Sequence, residues 1–268
     1  MEVHAHTHTS DPDMHRGRKK WTHYLWEFLM LFLAVFCGFL AENIREHEIE
    51  KGRAKELAKS FYEELKNDSV NVVIKTQYRI KQENALKYLM KYFKDSSLTN
   101  LSKTFELNFL YGISFRSPSL FEPRTVVLEQ LKNSGSLRYF KNDELQKLIG
   151  DISVAIHNIN DRQDLETSVR LEYVNPLIVR HYDFDFDSQL SQDGKVSVIV
   201  ATSEYEKNNQ VIPFQFKSME KFDKQGTINA LGFYSRNALS STRTLHFTKY
   251  IGLNTQLLKL LRKEYHLK

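Results

Sequence analysis

The stretch that decides the fold reads Tyr24-Leu-Trp-Glu-Phe-Leu-Met-Leu-Phe-Leu-Ala-Val-Phe-Cys-Gly-Phe-Leu-Ala41, and it contains a single charged side chain. Extended back to Trp21, it would span about 31 Å as an α-helix, which is close to the hydrocarbon thickness of a bilayer. Trp21 and Trp26, the two tryptophans of the protein, lie with Tyr24 at its N-terminal end, where an interfacial aromatic belt is expected. The sequence therefore predicts a transmembrane helix over residues 21–41.

Three other interpretations of this segment fit less well. A cleaved signal peptide requires small residues before the cut, but a cut after Ala41 would place Phe39 at the third position upstream. A lipoprotein signal requires Gly or Ala just before the cysteine, whereas Cys37 follows Phe36. A buried core helix of a soluble domain fits poorly, because every face of the segment is apolar and charged sequence flanks both of its ends. We therefore predict a permanent signal anchor.

The flanking charges indicate the orientation of this helix. Arg16, Arg18, Lys19 and Lys20 precede it, whereas the ten residues after Ala41 contain two basic and four acidic side chains. Because Lys and Arg close to the membrane tend to stay in the cytoplasm, we predict that the N-terminus lies inside and the C-terminal domain outside. In a Gram-negative cell this describes a single-pass inner-membrane protein with its C-terminal domain in the periplasm.

Residues 1–20 form a polar tail that contains several histidines, and Gly, Pro, Ser, Thr and Asp surround them. This composition predicts disorder. Imidazoles at alternating positions can bind Zn, Ni or Cu, so His4, His6 and His8 are candidate metal ligands. A flexible tail cannot preorganise a catalytic metal site, and we favour a polar, partly protonatable tail that helps to orient the anchor.

The chain as a whole has the composition of a folded protein. Of its 268 residues, 41% are hydrophobic and 26% are charged, which is unlike a disordered protein. The formal net charge of +5 arises from 38 basic and 33 acidic residues that are interspersed along the chain. Nucleic-acid binding requires a concentrated basic stripe, so no nucleic-acid partner is predicted. Cys37 is the single cysteine, which excludes an intramolecular disulfide.

Residues 42–268 are predicted to form a helical soluble domain. No proline interrupts the chain between Glu42 and about Phe93, and Glu precedes Lys or Arg by three residues at five places, which favours one long solvated helix of coiled-coil character. The polar run 67–69 leaves room for a break in this helix.

The C-terminal part of the chain contains further helical signals. A short helix is predicted from Pro123 to about Asn133, followed by a left-handed Gly135. Asn142 is expected to cap a strong helix that ends before Pro176. Residues 178–225 are consistent with either a small β insert or an irregular segment, and helical periodicity returns from residue 226 onward. The predicted fold class is mainly α: one transmembrane helix, a long helix and an antiparallel helical bundle.

One further stretch of the sequence contains candidate metal ligands. Asp183-Phe-Asp-Phe-Asp187 resembles the opening of a calcium loop, which makes Asp183, Asp185 and Asp187 candidate ligands. The match then fails, because Ser188 occupies the glycine position and Gly194 the position of the bidentate Glu. No zincin motif, nucleophile elbow, phosphate-binding loop or dinucleotide fingerprint is present. The sequence therefore predicts no cofactor, no catalytic residue and no enzyme.

One run resembles a known family. It reads His15-Arg-Gly-Arg-Lys-Lys-Trp-Thr-His-Tyr-Leu-Trp-Glu-Phe-Leu-Met-Leu-Phe-Leu-Ala-Val-Phe-Cys-Gly-Phe-Leu-Ala-Glu-Asn-Ile-Arg-Glu-His47. It is similar to the opening of an uncharacterised bacterial family of single-pass membrane proteins with a His-rich N-terminal tail and a domain of unknown function. Leu131-Lys-Asn-Ser-Gly-Ser-Leu-Arg138 and Asn142-Asp-Glu-Leu145 resemble a second element of that family. The family has no assigned activity, so the resemblance implies no catalytic or binding residue.

Three functional hypotheses follow from the sequence. The first is a membrane-anchored helical interaction or sensory module, with membrane lipid and either further copies of the chain or other envelope proteins as partners. The second is a structural envelope protein without a ligand. The third is an enzyme whose site is assembled from residues that are distant in the sequence.

Overall fold

A computed structural model describes residues 21–267 of the chain. The chain divides into two compact units, Met1–Gly52 and Arg53–Lys268. All regular structure between residues 21 and 267 is helical, and no strand forms there. The mainly α fold class predicted from the sequence is therefore confirmed.

Helix α1 (Trp21–Asp95) is continuous over 75 residues. The break considered at residues 67–69 does not occur. Asn67 donates its side-chain N–H to the Glu63 carbonyl at 2.9 Å, and the Ser69 hydroxyl donates to the Lys66 carbonyl at 2.7 Å. This polar run bonds to carbonyls of the preceding turn and so stays within the helix.

Eight shorter α-helices follow α1 within the described part of the chain. In order they are α2 (Lys103–Phe109), α3 (Val126–Asn133), α4 (Asp143–Val169), α5 (Asn175–His181), α6 (Phe184–Leu190), α7 (Val198–Lys207), α8 (Lys224–Phe233) and α9 (Thr248–Tyr265). π-helical turns extend α2, α4 and α8 over Leu110–Ser114, Arg170–Val174 and Tyr234–Ser240, and a fourth, Thr242–Phe247, leads into α9. Short 3-10 turns lie at Ser117–Ser119, Ser136–Tyr139 and Met219–Lys221.

The capping signals between α3 and α4 are confirmed. Helix α3 ends at Asn133, and Gly135 adopts a left-handed conformation with a φ of 68°. Asn142 precedes α4, and its side chain accepts a hydrogen bond from the Leu145 N–H at 3.1 Å. These are local interactions, which explains why residue type and spacing sufficed to predict them.

Of two other predicted boundaries, one is wrong and one is confirmed. Helix α3 begins at Val126 and not at Pro123, because the Arg124 N–H donates to a carboxylate of α1 and holds this residue outside the helix. Helix α4 ends at Val169, before Pro176 as predicted, although a further helix follows. The π-helical turn Arg170–Val174 places Pro176 in the first turn of α5, where its missing N–H has no intrahelical partner to lose.

Helix α9 runs antiparallel to α4. The Asn142 side chain, at the start of α4, donates to Glu264 near the end of α9 at 3.2 Å. Arg162, towards the end of α4, donates to the Ser241 hydroxyl just before α9 at 3.3 Å. The long pairing of these two helices is the antiparallel element of the predicted bundle.

Residues 178–225 contain no β insert, and they are only partly irregular, because α6, α7 and the end of α5 fall within them. Their extended stretch, 208–218, buries alternate side chains from Ile212 to Phe216, as a strand would. The backbone N–H groups, however, find side-chain acceptors. Ile212 donates to the Tyr205 hydroxyl at 3.2 Å, and Gln215 donates to the Asp183 carboxylate at 2.9 Å. A partner strand is therefore not needed to satisfy them.

The second unit contains two apolar cores. The first core combines residues 54–72 of α1 with α3, α4 and α9. The second core combines residues 86–93 of α1 with α2, α6, α7, α8 and the extended stretch. The part of α1 between these two runs, and the corresponding part of α4, supply the polar side chains Arg79, Gln163 and Glu166.

Arg79 is fully buried between the two cores. Its Nη1 and Nη2 atoms lie 2.7 and 3.0 Å from the two carboxylate oxygens of Glu166. The remaining N–H groups donate to the carbonyls of Ser119 and Leu239 and to the Gln163 side chain at 3.0 to 3.4 Å. All five guanidinium donors are thus used, and the ring of Phe247 lies 4.5 Å from the guanidinium carbon. This arrangement sets the register of α1 against α4.

We expect Arg79→Met to destabilise the protein by about 3–5 kcal/mol, because it leaves the Glu166 charge buried without its partner. The double variant Arg79→Met/Glu166→Leu is expected to recover most of this loss, since it removes both charges. Urea unfolding of the full chain in detergent would measure both values. The control is Lys132→Met, which breaks the exposed pair with Glu129 and should cost less than about 1 kcal/mol. Equal losses for Arg79→Met and Lys132→Met would contradict this interpretation.

Candidate functional site

The apolar segment of the first unit exposes all of its side chains. Among residues 21–267, one helix is long and apolar enough to cross a membrane, and its most apolar 18-residue window has a mean hydropathy of 2.0 with none of the window buried. Leu31, Val35 and Phe39 are each 69% exposed. Protein packing within this unit therefore does not account for the hydrophobicity of the segment, and a lipid environment would.

Two interactions organise the surface of this segment. Phe28, Phe32 and Phe36 stack along one side of the helix, with ring centroids 6.3 and 5.9 Å apart. His23 Nε2 lies 3.0 Å from the carboxylate of Glu27, one turn later. Glu27, the only charged side chain between Tyr24 and Ala41, thus lies beside His23 at the N-terminal end of the segment. Both side chains can reach a membrane–water interface from there.

The candidate ligands from the sequence are not brought together. His4, His6 and His8 lie outside the described residues. Asp183 is buried and lies 3.1 Å from Lys217 Nζ, Asp187 accepts from the Tyr182 hydroxyl at 2.5 Å, and Asp185 is 88% exposed. Within residues 21–267 there is no group of three or more His, Cys, Asp or Glu side chains arranged to hold a metal ion. The Lys217 ammonium lies beside two of these carboxylates, with Nζ 3.1 Å from Asp183 and 3.9 Å from Asp185.

A pair of buried carboxylates lies on α1 in the first core. Glu64 is 8% and Asp68 1% exposed, and they are one helical turn apart. One oxygen of each accepts a backbone N–H at the start of α3: Glu64 from Val127 and Asp68 from Arg124, both at 3.0 Å. The second oxygen of each has no hydrogen-bond partner within the described structure. The pair therefore holds α3 against α1 by placing two carboxyl groups in the core.

The electrostatics of Asp68 are unusual. Burial raises the pKa of its carboxyl from 3.8 to about 6, and the negative charge of Glu64 adds to this rise. Hydrogen bonds from the Tyr250 hydroxyl, at 2.9 Å, and from the Arg124 N–H act in the opposite direction. A group that titrates near pH 6 in this position couples the packing of α1, α3 and α9 to pH.

Sequence reasoning missed this pair, although a signal was present. Asp68 falls three residues after Leu65 and four before Val72, so it lies on the apolar stripe of α1. Acidic side chains on a buried stripe are rare unless they have a specific partner. The partners themselves lie 56 and 63 residues away and could not be identified from local patterns.

A mainly apolar cleft with a few polar side chains lies in the second unit, beside the π-helical turn Leu110–Ser114. It has a volume of about 640 Å³. Its lining residues are Ser114, Phe115, Arg116, Ser117, Leu120, Ile178, Tyr182, Phe184, Asp187, Ser197, Val198 and Ile199. Burial and the carboxylate of Asp187 raise the pKa of Tyr182, so its hydroxyl remains protonated and donates to Asp187.

No protein-family model, curated protein or solved structure matches the chain. The residues and contacts described above are therefore the basis for a functional proposal.

The sign of the pH effect at Asp68 follows from the direction of its pKa shift. Because the pKa is higher in the folded protein than in the unfolded chain, the folded state binds the proton more tightly. This contribution to stability is fully present below pH 3.8 and is lost as the pH rises through about 6. Above pH 6 the protein carries the full cost of the buried charge.

We expect Asp68→Asn to remove this cost while it keeps an oxygen that accepts the Arg124 N–H. The free energy of unfolding of the variant, relative to the native protein, should rise by about 1–3 kcal/mol between pH 4 and pH 7.5. Denaturant unfolding at several pH values would measure it. Asp164→Asn, at an exposed position of α4, serves as the matched control. The same pH dependence in both variants would refute the assignment to Asp68.

Proposed function

We propose that this protein is a membrane-anchored helical interaction or sensory module. The observation that carries the proposal is the exposed apolar segment of the first unit, whose most apolar window has no buried residue. An α-helix of this length and hydropathy satisfies its own backbone hydrogen bonds and can bury every side chain in lipid. The second unit has its own two cores, which suits a domain that is held at a membrane by this helix.

We further propose that the helix is a signal anchor with its N-terminus in the cytoplasm. The support is the basic cluster Arg16 to Lys20 on the N-terminal side and the acidic excess that follows Ala41. In a Gram-negative cell the second unit would then lie in the periplasm. This is the position in which an interaction or sensory module contacts other envelope components.

An exposed apolar stripe on α1 within the second unit supports a role in protein–protein interaction. Val70, Val73, Ile74 and Tyr78 are 38 to 59% exposed, and their spacing places them on one face of the helix. A second copy of the chain is the partner that we infer. Copies in one membrane share the same orientation, and a single face can meet its own counterpart across a two-fold axis.

We expect the variant Leu31→Arg/Val35→Arg to move from the membrane fraction to the soluble fraction. Each arginine near the centre of the segment costs about 2.5–3.5 kcal/mol on insertion. Carbonate extraction of cell membranes would measure the distribution. The matched control is Ile44→Arg/Ile49→Arg, two exposed apolar positions outside residues 21–41, which should stay in the membrane.

Intact spheroplasts that contain the native chain report the orientation. Protease added to intact spheroplasts should digest the second unit, whereas a protected second unit would overturn the proposed orientation. Extraction of the native chain by carbonate would overturn the anchor itself.

We expect a photo-crosslinking side chain in place of Val73 to join two copies of the chain in native membranes, because Val73 lies in the middle of the exposed stripe. Co-expression of two differently tagged chains, followed by mass spectrometry, would identify the adduct. Lys87, an exposed residue further along α1, provides the control position and should give no adduct. Capture of a different envelope protein at Val73 would replace the second copy as partner. Capture of nothing at Val73 would refute an interaction through this face.

A further inference from the structure

The cleft beside the π-helical turn Leu110–Ser114 has a preformed wall. Arg170, which is buried, donates to the carbonyls of Ile113 and Ser114 at 2.6 and 2.9 Å. Gln82 donates to the carbonyls of Gly112 and Phe115 at 3.3 and 3.1 Å from the other side. The carbonyls at the end of this turn are thus held by two buried side chains. A rigid wall of this kind lowers the entropy cost of ligand binding.

Two half-buried charges of opposite sign line the cleft. The Arg116 guanidinium donates a hydrogen bond to the Thr167 hydroxyl, and Asp187 accepts one from the Tyr182 hydroxyl. Neither charge forms an ion pair with any residue between 21 and 267. Each charged group is oriented by a neutral hydroxyl, which does not compensate its charge. Both groups are therefore available to pair with a charged ligand.

The rest of the lining is mainly apolar. Phe115, Leu120, Ile178, Val198 and Ile199 supply hydrocarbon surface, and several serines supply hydroxyl groups. A volume of about 640 Å³ lies within the range of small-molecule sites. A ligand that suits this lining carries one anionic group, one cationic group and an apolar body.

We propose that this cleft binds an apolar zwitterion, namely a free apolar α-amino acid or a short apolar peptide. Its carboxylate pairs with Arg116, its ammonium group pairs with Asp187, and its side chain packs against the apolar lining. A planar guanidinium is the usual partner for a carboxylate, which it can bind through two parallel hydrogen bonds. This inference rests on the proposed sensory function, for which it names the class of stimulus.

The test uses the full chain in lipid nanodiscs, with L-leucine and the peptide Leu-Leu as probes. Isothermal titration calorimetry and ligand-observed NMR, both up to millimolar concentrations, measure binding. N-acetyl-leucine lacks the ammonium group and leucinamide lacks the carboxylate, so each should bind at least about tenfold more weakly than the zwitterion. Tighter binding of Leu-Leu than of leucine would identify peptides as the ligands, and the reverse would identify free amino acids.

The variants Arg116→Met and Asp187→Asn separate the two charges. Each should weaken leucine binding by about tenfold or more. Arg116→Met should leave leucinamide binding unchanged, since that probe has no carboxylate to lose. The controls are Arg236→Met and Asp185→Asn, at exposed positions outside the cleft, which should change leucine binding by less than about twofold. Circular dichroism of each variant checks that it is folded.

Two outcomes would overturn the proposal. One is the absence of binding by both methods. The other is equal binding of leucine, N-acetyl-leucine and leucinamide, which would mean that the charges of the cleft are not used. Because binding is measured on isolated protein, failure here is distinct from failure of membrane anchoring or of self-association. Membrane anchoring is tested by carbonate extraction, and self-association is tested by photo-crosslinking.

Discussion

The second unit depends on the burial of Arg79 between two apolar cores. A guanidinium in this position is tolerated only when its donors are met, and the structure meets all five with Glu166, Gln163 and two backbone carbonyls. A shift of α1 against α4 by one turn would break the bidentate pair and leave two charges in the core. The Arg79–Glu166 pair therefore fixes the register of α1 against α4, on which the packing of both cores depends.

The same helix satisfies the backbone of the irregular segment that follows α2. Glu64 and Asp68 accept N–H groups at the start of α3, Arg79 donates to a carbonyl of the 3-10 turn at 117–119, and Gln82 donates to carbonyls at the end of the π-helical turn. Residues 115–125 lie between the π-helical turn and α3, and apart from one 3-10 turn they have no regular structure of their own, so side chains of α1 bind backbone groups there instead. The wall of the cleft beside Arg116 is a product of this arrangement.

The sequence predicts the parts of the fold that depend on neighbouring residues. The long apolar segment, the cap at Asn142 and the left-handed Gly135 are all read from spacings of a few residues. The extended stretch near Phe216 was ambiguous, because alternation of side chains is shared by a strand and by a chain whose N–H groups are bonded by distant side chains. The buried polar contacts of Arg79 and Asp68 join residues 40 to 182 positions apart. No local pattern carries that information, so neither these contacts nor the cleft could be predicted.

One helix thus carries two kinds of surface. From Arg53 onward α1 buries one face, and the charged side chains on that face, Glu64, Asp68 and Arg79, have specific partners. Between Trp21 and Ile49 no side chain is buried, although this part contains the most apolar window of the described chain. In water, such a length of exposed apolar surface would be unfavourable at about 25 cal/mol per Å², whereas in lipid it is the favourable arrangement. The change in surface along a single helix is therefore best explained by a change of solvent, which is the physical basis for proposing a membrane-bound protein.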